Sequence, residues 1–203
     1  MSSYSDIRGV VYDLDGTIIN SLSVHVAAWR AAGDKYGVEI TPRFLEFQIG
    51  RTNEAAAQQL LDPLGRLAIL PDFVKEKVEY ADQHAAESQY FEDFGVAYEG
   101  LRQRGTQVWI CTSSPKRFCL NVYEKYSQLQ DFAERTVWRE MYQDGKGQGL
   151  RMAFDKMNVA PKDVIYIGDA PGDWEAAREA GCLFVRYGGP AIERHSELLS
   201  LLP

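Results

Sequence analysis

Short apolar, β-branched runs recur along the chain near Ile7–Asp13, Gln107–Thr112, Arg135–Arg139, Asp163–Gly168 and Leu183–Tyr187, and each reads as a strand. Stretches of helical periodicity lie between and after them, Gly172–Ala180 and Pro190–Leu199 among them. Such alternation predicts an α/β fold of three layers, a mostly parallel sheet with helices on both faces. The segment 21–90 breaks the pattern. It holds helix-like stretches at Val24–Tyr36, Asn53–Leu61 and Asp72–Tyr90, no convincing strand, and the punctuating prolines Pro42, Pro63 and Pro71. The expected organisation is therefore a core of residues 1–20 and 91–203, interrupted by a helical domain over 21–90.

Composition fits an ordinary soluble enzyme and excludes several other classes. The chain has 203 residues, of which 45% are hydrophobic and 25% charged, close to globular usage and long enough for one domain with an insertion. No run of about 18 apolar residues occurs, so no membrane partner is expected. Met1–Asp6 lacks the basic and apolar regions of a signal peptide. Cys111, Cys119 and Cys182 include no C-x-x-C pair, and read as buried thiols of a reducing cytoplasm. A net charge of -7 without a basic run argues against a nucleic-acid partner. The chain is expected to be cytoplasmic, a monomer or weak homodimer.

The chemistry-bearing feature is Asp13-Leu14-Asp15-Gly16-Thr17, placed where the first strand ends. If strand geometry persists to Asp15, the two carboxylates point the same way, and Gly16 then turns the chain. A D-x-D-G-T match arises by chance in about one sequence in 500 of this length. Two acids at a strand's carboxyl end, where open α/β sheets bind ligands, read as a catalytic site. A solvated, Asx-rich turn is the plainer alternative.

That motif resembles the first motif of the haloacid dehalogenase superfamily. The remaining motifs follow in the family's order. Val108–Ser113 resembles the second, a strand ending in Thr112 and Ser113; Lys146 is the candidate for the third; and Gly168-Asp169, with Asp173 beyond, resembles the acidic fourth. The resemblance covers nearly the whole chain and implies a Rossmann-like core whose helical insertion is a cap over the active site. A subdomain that only adds stability is the alternative for that insertion. Lys146 lies in Gly145-Lys146-Gly147-Gln148-Gly149 rather than before the usual proline, so a solvated lysine in a glycine loop also stays open, with Lys116 and Lys125 as substitutes.

Carboxylates repel a phosphate dianion by roughly 4 kcal/mol for each charge pair at about 4 Å and an effective dielectric near 20. A pocket built from Asp13, Asp15, Asp169 and Asp173 therefore needs a divalent cation, and an all-oxygen donor set suits Mg²⁺. The resemblance assigns Asp13 as nucleophile, Asp15 as acid and base, and Lys146 and Thr112 to the catalytic set. Thr17, Thr112, Ser113 and Lys146 are the expected phosphate contacts. The expected metal ligands are Asp13, Asp15 through its carbonyl, Asp169 and Asp173. An acid at Asp15 separates the chain from dehalogenases, and Arg51 replaces the Schiff-base lysine of phosphonate-cleaving members. His25 and Arg51 are the cap candidates for substrate contact. His25 and Trp29, spaced i, i+4, resemble a stretch of β-phosphoglucomutase-like enzymes but equally suit a packed helix face. Gly168 resembles phosphatases, since such mutases carry Glu there. The implied activity is a Mg²⁺-dependent, phosphoglycolate phosphatase-like hydrolysis of a small phosphorylated metabolite, its expected partner, through an aspartyl-phosphate. A sugar phosphomutase is the alternative and a non-catalytic phosphate-binding protein the remote one.

Overall fold

The computed structural model describes residues 6–49 and 51–202. Most of the N-terminal stretch searched for a signal peptide, Gly50 beside Arg51, and Pro203 lie outside the described residues. The chain divides into two compact units, Met1–Asn20 with Gln89–Pro203, and Ser21–Ser88.

Seven strands lie in the first unit among the described residues: β1 (Gly9–Tyr12), β2 (Ile19–Asn20), β3 (Gln89–Tyr90), β4 (Gln107–Cys111), β5 (Thr136–Val137), β6 (Val164–Gly168) and β7 (Leu183–Arg186). Five of them form a sheet of order β5-β4-β1-β6-β7, every pairing parallel. β1 and β6 are buried throughout, which is why their sequences are continuously apolar rather than alternating. Tyr12 pairs with Ile110 on one side and Ile167 on the other. The three central strands thus end level, and the loops after them meet at the carboxyl edge of the sheet, where such folds place ligands.

The second unit is helical: α1 (Leu22–Tyr36), α2 (Pro42–Phe47), α3 (Asn53–Leu61) and α4 (Leu70–His84). Thr41 and Thr52 cap α2 and α3 by accepting the Phe44 and Ala55 N–H groups at 3.2 Å. Trp29, Phe44, Leu61 and Phe73 fill its core. Trp29 meets Phe44 edge-on at 5.1 Å and donates its indole N–H to Gln48, so this tryptophan packs the unit.

The first unit adds α5 (Asp93–Gln103), α6 (Lys116–Lys125), α7 (Lys146–Met157), α8 (Pro171–Ala180) and α9 (Leu198–Leu201). Leu150, Ala153 and Phe154 of α7, with Ala176 and Ala177 of α8, cover the sheet face carrying Val11 and Tyr166. On the opposite face Tyr12 meets Phe94 of α5 at 5.0 Å. This is a Rossmann-like three-layer core. No helix among the described residues is long and apolar enough to cross a membrane.

Three sequence expectations are corrected. The helix expected at Asp72–Tyr90 stops at His84, because Gln89 and Tyr90 are taken into an antiparallel pair with Asn20 and Ile19; the segment expected to lack strand therefore ends in one. The strand at Arg135–Arg139 is only Thr136–Val137. The helix expected at Pro190–Leu199 is absent over its first half. Gly188 adopts φ 67°, and Gly189 donates to the Ile192 carbonyl at 3.2 Å. The chain there makes a turn, and helix begins only at Leu198.

Candidate active site

Regular strand ends at Tyr12, yet Asp13 N–H still donates to the Ile167 carbonyl at 2.8 Å. Beyond it the chain coils tightly. The Leu14 carbonyl accepts from the N–H groups of Thr17, Ile18 and Ile19, and Gly16 N–H donates to Ile19. Gly16 has φ 82°, and a Cβ there would sit 2.4 Å from Asp169 Oδ2. Only glycine turns the chain here and lets its backbone approach that carboxylate. Because the strand stops before Asp15, the two acids do not extend one alternating row, and they take different partners.

Asp13 faces a cation. Lys146 Nζ donates to Asp13 Oδ1 and to Asp173 Oδ1, both at 2.7 Å. The lysine opens α7, and its glycine-rich surroundings are packed helix rather than loop. A Cβ on Gly147 would meet Glu179 at 2.8 Å, and one on Gly149 would meet Tyr142 at 2.8 Å. Lys116 and Lys125 are both exposed on α6. Asp173, in the first turn of α8, has both oxygens engaged: Tyr166 OH donates to Oδ1 at 2.7 Å and Ala170 N–H to Oδ2 at 3.0 Å. It therefore anchors the lysine. A Cβ on Gly168 would lie 2.4 Å from Asp173 Oδ2, so a larger residue there would displace that anchor.

Asp15 faces hydroxyls. Ser114 Oγ donates to its Oδ2 at 2.6 Å and Thr112 Oγ1 at 3.4 Å. Ser114 N–H in turn donates to Thr112 Oγ1 at 3.0 Å, fixing the turn after β4. The expected Ser113 is exposed, with its hydroxyl against Tyr142 OH at 3.4 Å. Ser114 is the residue that sequence reasoning missed. Thr17 donates to Asp169 Oδ1 at 3.3 Å.

Asp13, Asp169 and Asp173 each offer a carboxylate oxygen, all within 4.8 Å of one another. Burial, with Asp173 and Asp15 adding to it against Lys146, holds the Asp13 carboxyl well above the usual range. Burial and then Asp173 likewise raise Asp169. Burial opposes the Lys146 charge, but Asp13 and Asp173 outweigh it and raise the lysine. One ammonium thus faces three acids and bonds two of them. The excess negative charge and all-oxygen donors fit a hard divalent cation, with Asp13 and Asp169 the carboxylates best placed to hold it.

The model of the haloacid dehalogenase-like hydrolases matches residues 10–187. This chain belongs to that family. A phosphoglycolate phosphatase of Escherichia coli O157:H7 is 24% identical, covering 95% of this chain and 88% of the relative. Among solved structures, a haloacid dehalogenase-like family hydrolase of Streptococcus pneumoniae superposes with a TM-score of 0.79 at 20% identity, covering 97% of this chain and 91% of that one. A β-phosphoglucomutase of Clostridium difficile superposes with a TM-score of 0.76 at 21% identity, covering 90% and 85%. At these identities the structural likenesses establish the fold.

The helical unit of this family member carries its own polar cluster. Buried Lys77 donates to Asn53 Oδ1 at 2.8 Å and lies 3.1 Å from His25 Nδ1. Its Nζ is also 5.3 Å from the centre of the Trp29 ring. His25 was singled out from the sequence, whereas Lys77 and Asn53 carried no local signal. Arg51 is exposed, stacks over Phe47 at 4.0 Å and donates Nε–H to the Phe47 carbonyl.

Proposed function

We propose that this hydrolase is a Mg²⁺-dependent phosphatase that cleaves a small-molecule phosphate monoester through an aspartyl-phosphate on Asp13, in the manner of phosphoglycolate phosphatase. The observation that carries this reading is the different company of the two acids: Asp13 beside the Lys146 ammonium, Asp15 beside neutral hydroxyls. An ionised Asp13 attacks phosphorus while Asp15, protonated, gives its proton to the leaving oxygen. Asp15 then takes a proton from the water that hydrolyses the acyl phosphate. Lys146 and the Thr112 hydroxyl bind phosphate oxygens, with Ser113 next to Thr112 on the same loop; Thr17, expected as a phosphate contact, is fully buried with its hydroxyl on Asp169 and is not assigned to the phosphate. Mg²⁺ bound by Asp13 and Asp169, with the Asp15 carbonyl, would supply the positive charge that keeps Asp13 ionised and admits the dianion.

The helical unit is assigned the choice of leaving group, because it is inserted between β2 and β3, directly after the Asp loop. Arg51 and the His25–Lys77 pair are its candidates for an anionic group. The β-phosphoglucomutase alternative is disfavoured by Gly168, where the space for a side chain is already taken by Asp173.

The test is phosphate release from a panel of phosphorylated acids, sugars and nucleotides, with Mg²⁺ and with excess chelator. Release that depends on Mg²⁺ and prefers a small acid ester is expected. Undiminished activity in chelator would refute the metal requirement, and isomerisation of a sugar 1-phosphate without release would favour the mutase.

A further inference from the structure

His195 lies in the C-terminal segment that was expected to be a plain helix. It is completely buried, at 0% exposure. Its ring stacks on Tyr187 at 4.2 Å and 8° and meets Tyr12 and Phe94 edge-on, each at 5.6 Å. Its backbone N–H donates to Asp93 Oδ2 at 2.6 Å, tying the segment to the first turn of α5. Three aromatic walls and one anchored backbone fix the plane of the ring, and the contact at Nε2 sets which edge faces inward.

That orientation brings Nε2 to 2.6 Å from the Thr17 carbonyl, across 178 positions of sequence. A carbonyl only accepts, so Nε2 carries the hydrogen. Thr17 is also fully buried, and its hydroxyl is the side-chain donor to Asp169, at 3.3 Å. This second bond is longer than the usual range of about 2.5–3.0 Å for O–H···O. A displacement of the Thr17 peptide by a few tenths of an ångström would break it. Asp169 also accepts its own backbone N–H, so the Thr17 hydroxyl is one of two holds on its carboxylate, and His195 steadies from behind the peptide that carries that hydroxyl.

We propose that His195 is a positioning residue of the acidic site: by holding the Thr17 carbonyl it keeps the Thr17 hydroxyl on Asp169, and so raises the site's affinity for a divalent cation. The proposal rests on the Mg²⁺ reading above and assigns to this chain a two-bond relay, His195 to Thr17 to Asp169. Partners one step behind a metal ligand typically contribute about 10–100-fold in metal affinity.

The experiment is calorimetric titration of Mg²⁺ into the intact protein, alongside thermal melting of each variant in chelator. His195→Phe keeps the bulk and the ring stacking while removing the donor, and should weaken Mg²⁺ binding by about tenfold or more. Thr17→Val should weaken it comparably. The double variant should bind no more weakly than the worse single one, because both changes cut the same relay. His195→Gln, whose amide reaches the Nε2 position, should recover most of the affinity, whereas the shorter His195→Asn should not. If His195→Phe does not fold, the Gln and Asn pair carries the comparison. A merely structural His195 would lower the melting temperature in chelator and leave Mg²⁺ affinity unchanged, and that result overturns the proposal. Multiplying losses in the double variant would overturn it too. Absence of Mg²⁺ binding by the wild type would remove the metal reading itself, and the proposal with it.

Discussion

Replacing Lys146 by Met tests how the acidic site is held together. The Lys146 side chain is 14% exposed, Asp13 9% and Asp173 3%, and both contacts are 2.7 Å. Methionine fills a similar volume but leaves two carboxylates buried without their cation. Removing one partner of a buried pair costs about 3–5 kcal/mol. For a chain of this size that lowers the melting temperature by about 6–20 °C, at about 2–4 °C per kcal/mol. The measurement is denaturant and thermal unfolding in excess chelator, so that no metal substitutes for the lysine. Adding Asp173→Asn removes one stranded charge, and the double-mutant cycle should give a coupling of about 2 kcal/mol. Turnover with Mg²⁺ should fall by about 100- to 1000-fold, the usual effect of losing one electrostatic contact to a reacting group. A loss below about 1 kcal/mol in chelator, with additive mutations, would show that Lys146 is solvated in solution and would sink the reading of the site.

Asp13→Asn should leave the melting curve cooperative and reduce turnover below about a percent of wild type, since the covalent route is gone; a faster residual rate would move the nucleophile elsewhere. Burial lowers the His195 pKa, against an opposing effect of Asp93 and the Thr17 carbonyl. As pH falls below about 6.5 the unfolded chain takes up a proton that the folded chain does not, so stability drops. Wild type should therefore lose more melting temperature than His195→Phe between pH 7.5 and pH 5.5, and equal losses would contradict the sign. Arg51→Ala should lower kcat/KM on the preferred substrate by about 10–100-fold, the range of one charged hydrogen bond, and spare a small generic phosphate ester. Equal changes on both substrates would make Arg51 a surface residue only.

What the chain made legible was chemistry written in consecutive residues. Asp13 to Thr17 announces itself because a strand, two acids and a glycine turn are contiguous, and Asp169 and Asp173 are legible for the same reason. Lys146 was legible through its place in a motif order, though its glycines left a solvated loop open as the alternative. They are helical because α7 packs too closely on Glu179, Tyr142 and Cys111 to carry side chains there, a fact of tertiary packing. Ser113 was chosen over Ser114 because neighbouring serines have identical composition and only the turn after β4 decides which faces Asp15. His195 and Lys77 were illegible for a stronger reason. The partners of His195 are 102 and 178 positions away, and those of Lys77 are 24 and 52. The C-terminal segment misled because Pro190–Leu199 has helical periodicity, while the turn at Gly188 and the burial of His195 govern its path.

The antiparallel pair of β2 and β3 has a bearing on how this architecture can change over time. Ile19 faces Tyr90 and Asn20 faces Gln89, so the sheet unit meets the two ends of the helical insertion side by side. To the sheet, Ser21–Ser88 is one long hairpin loop, and the entropic cost of closing such a loop grows only logarithmically with its length. Insertions, deletions or wholesale replacement of the helices can therefore be absorbed at this one junction without altering the register of β1, β4 and β6. Selection can revise the inserted helices while Asp13, Lys146 and Asp169 stay where the parallel strands put them.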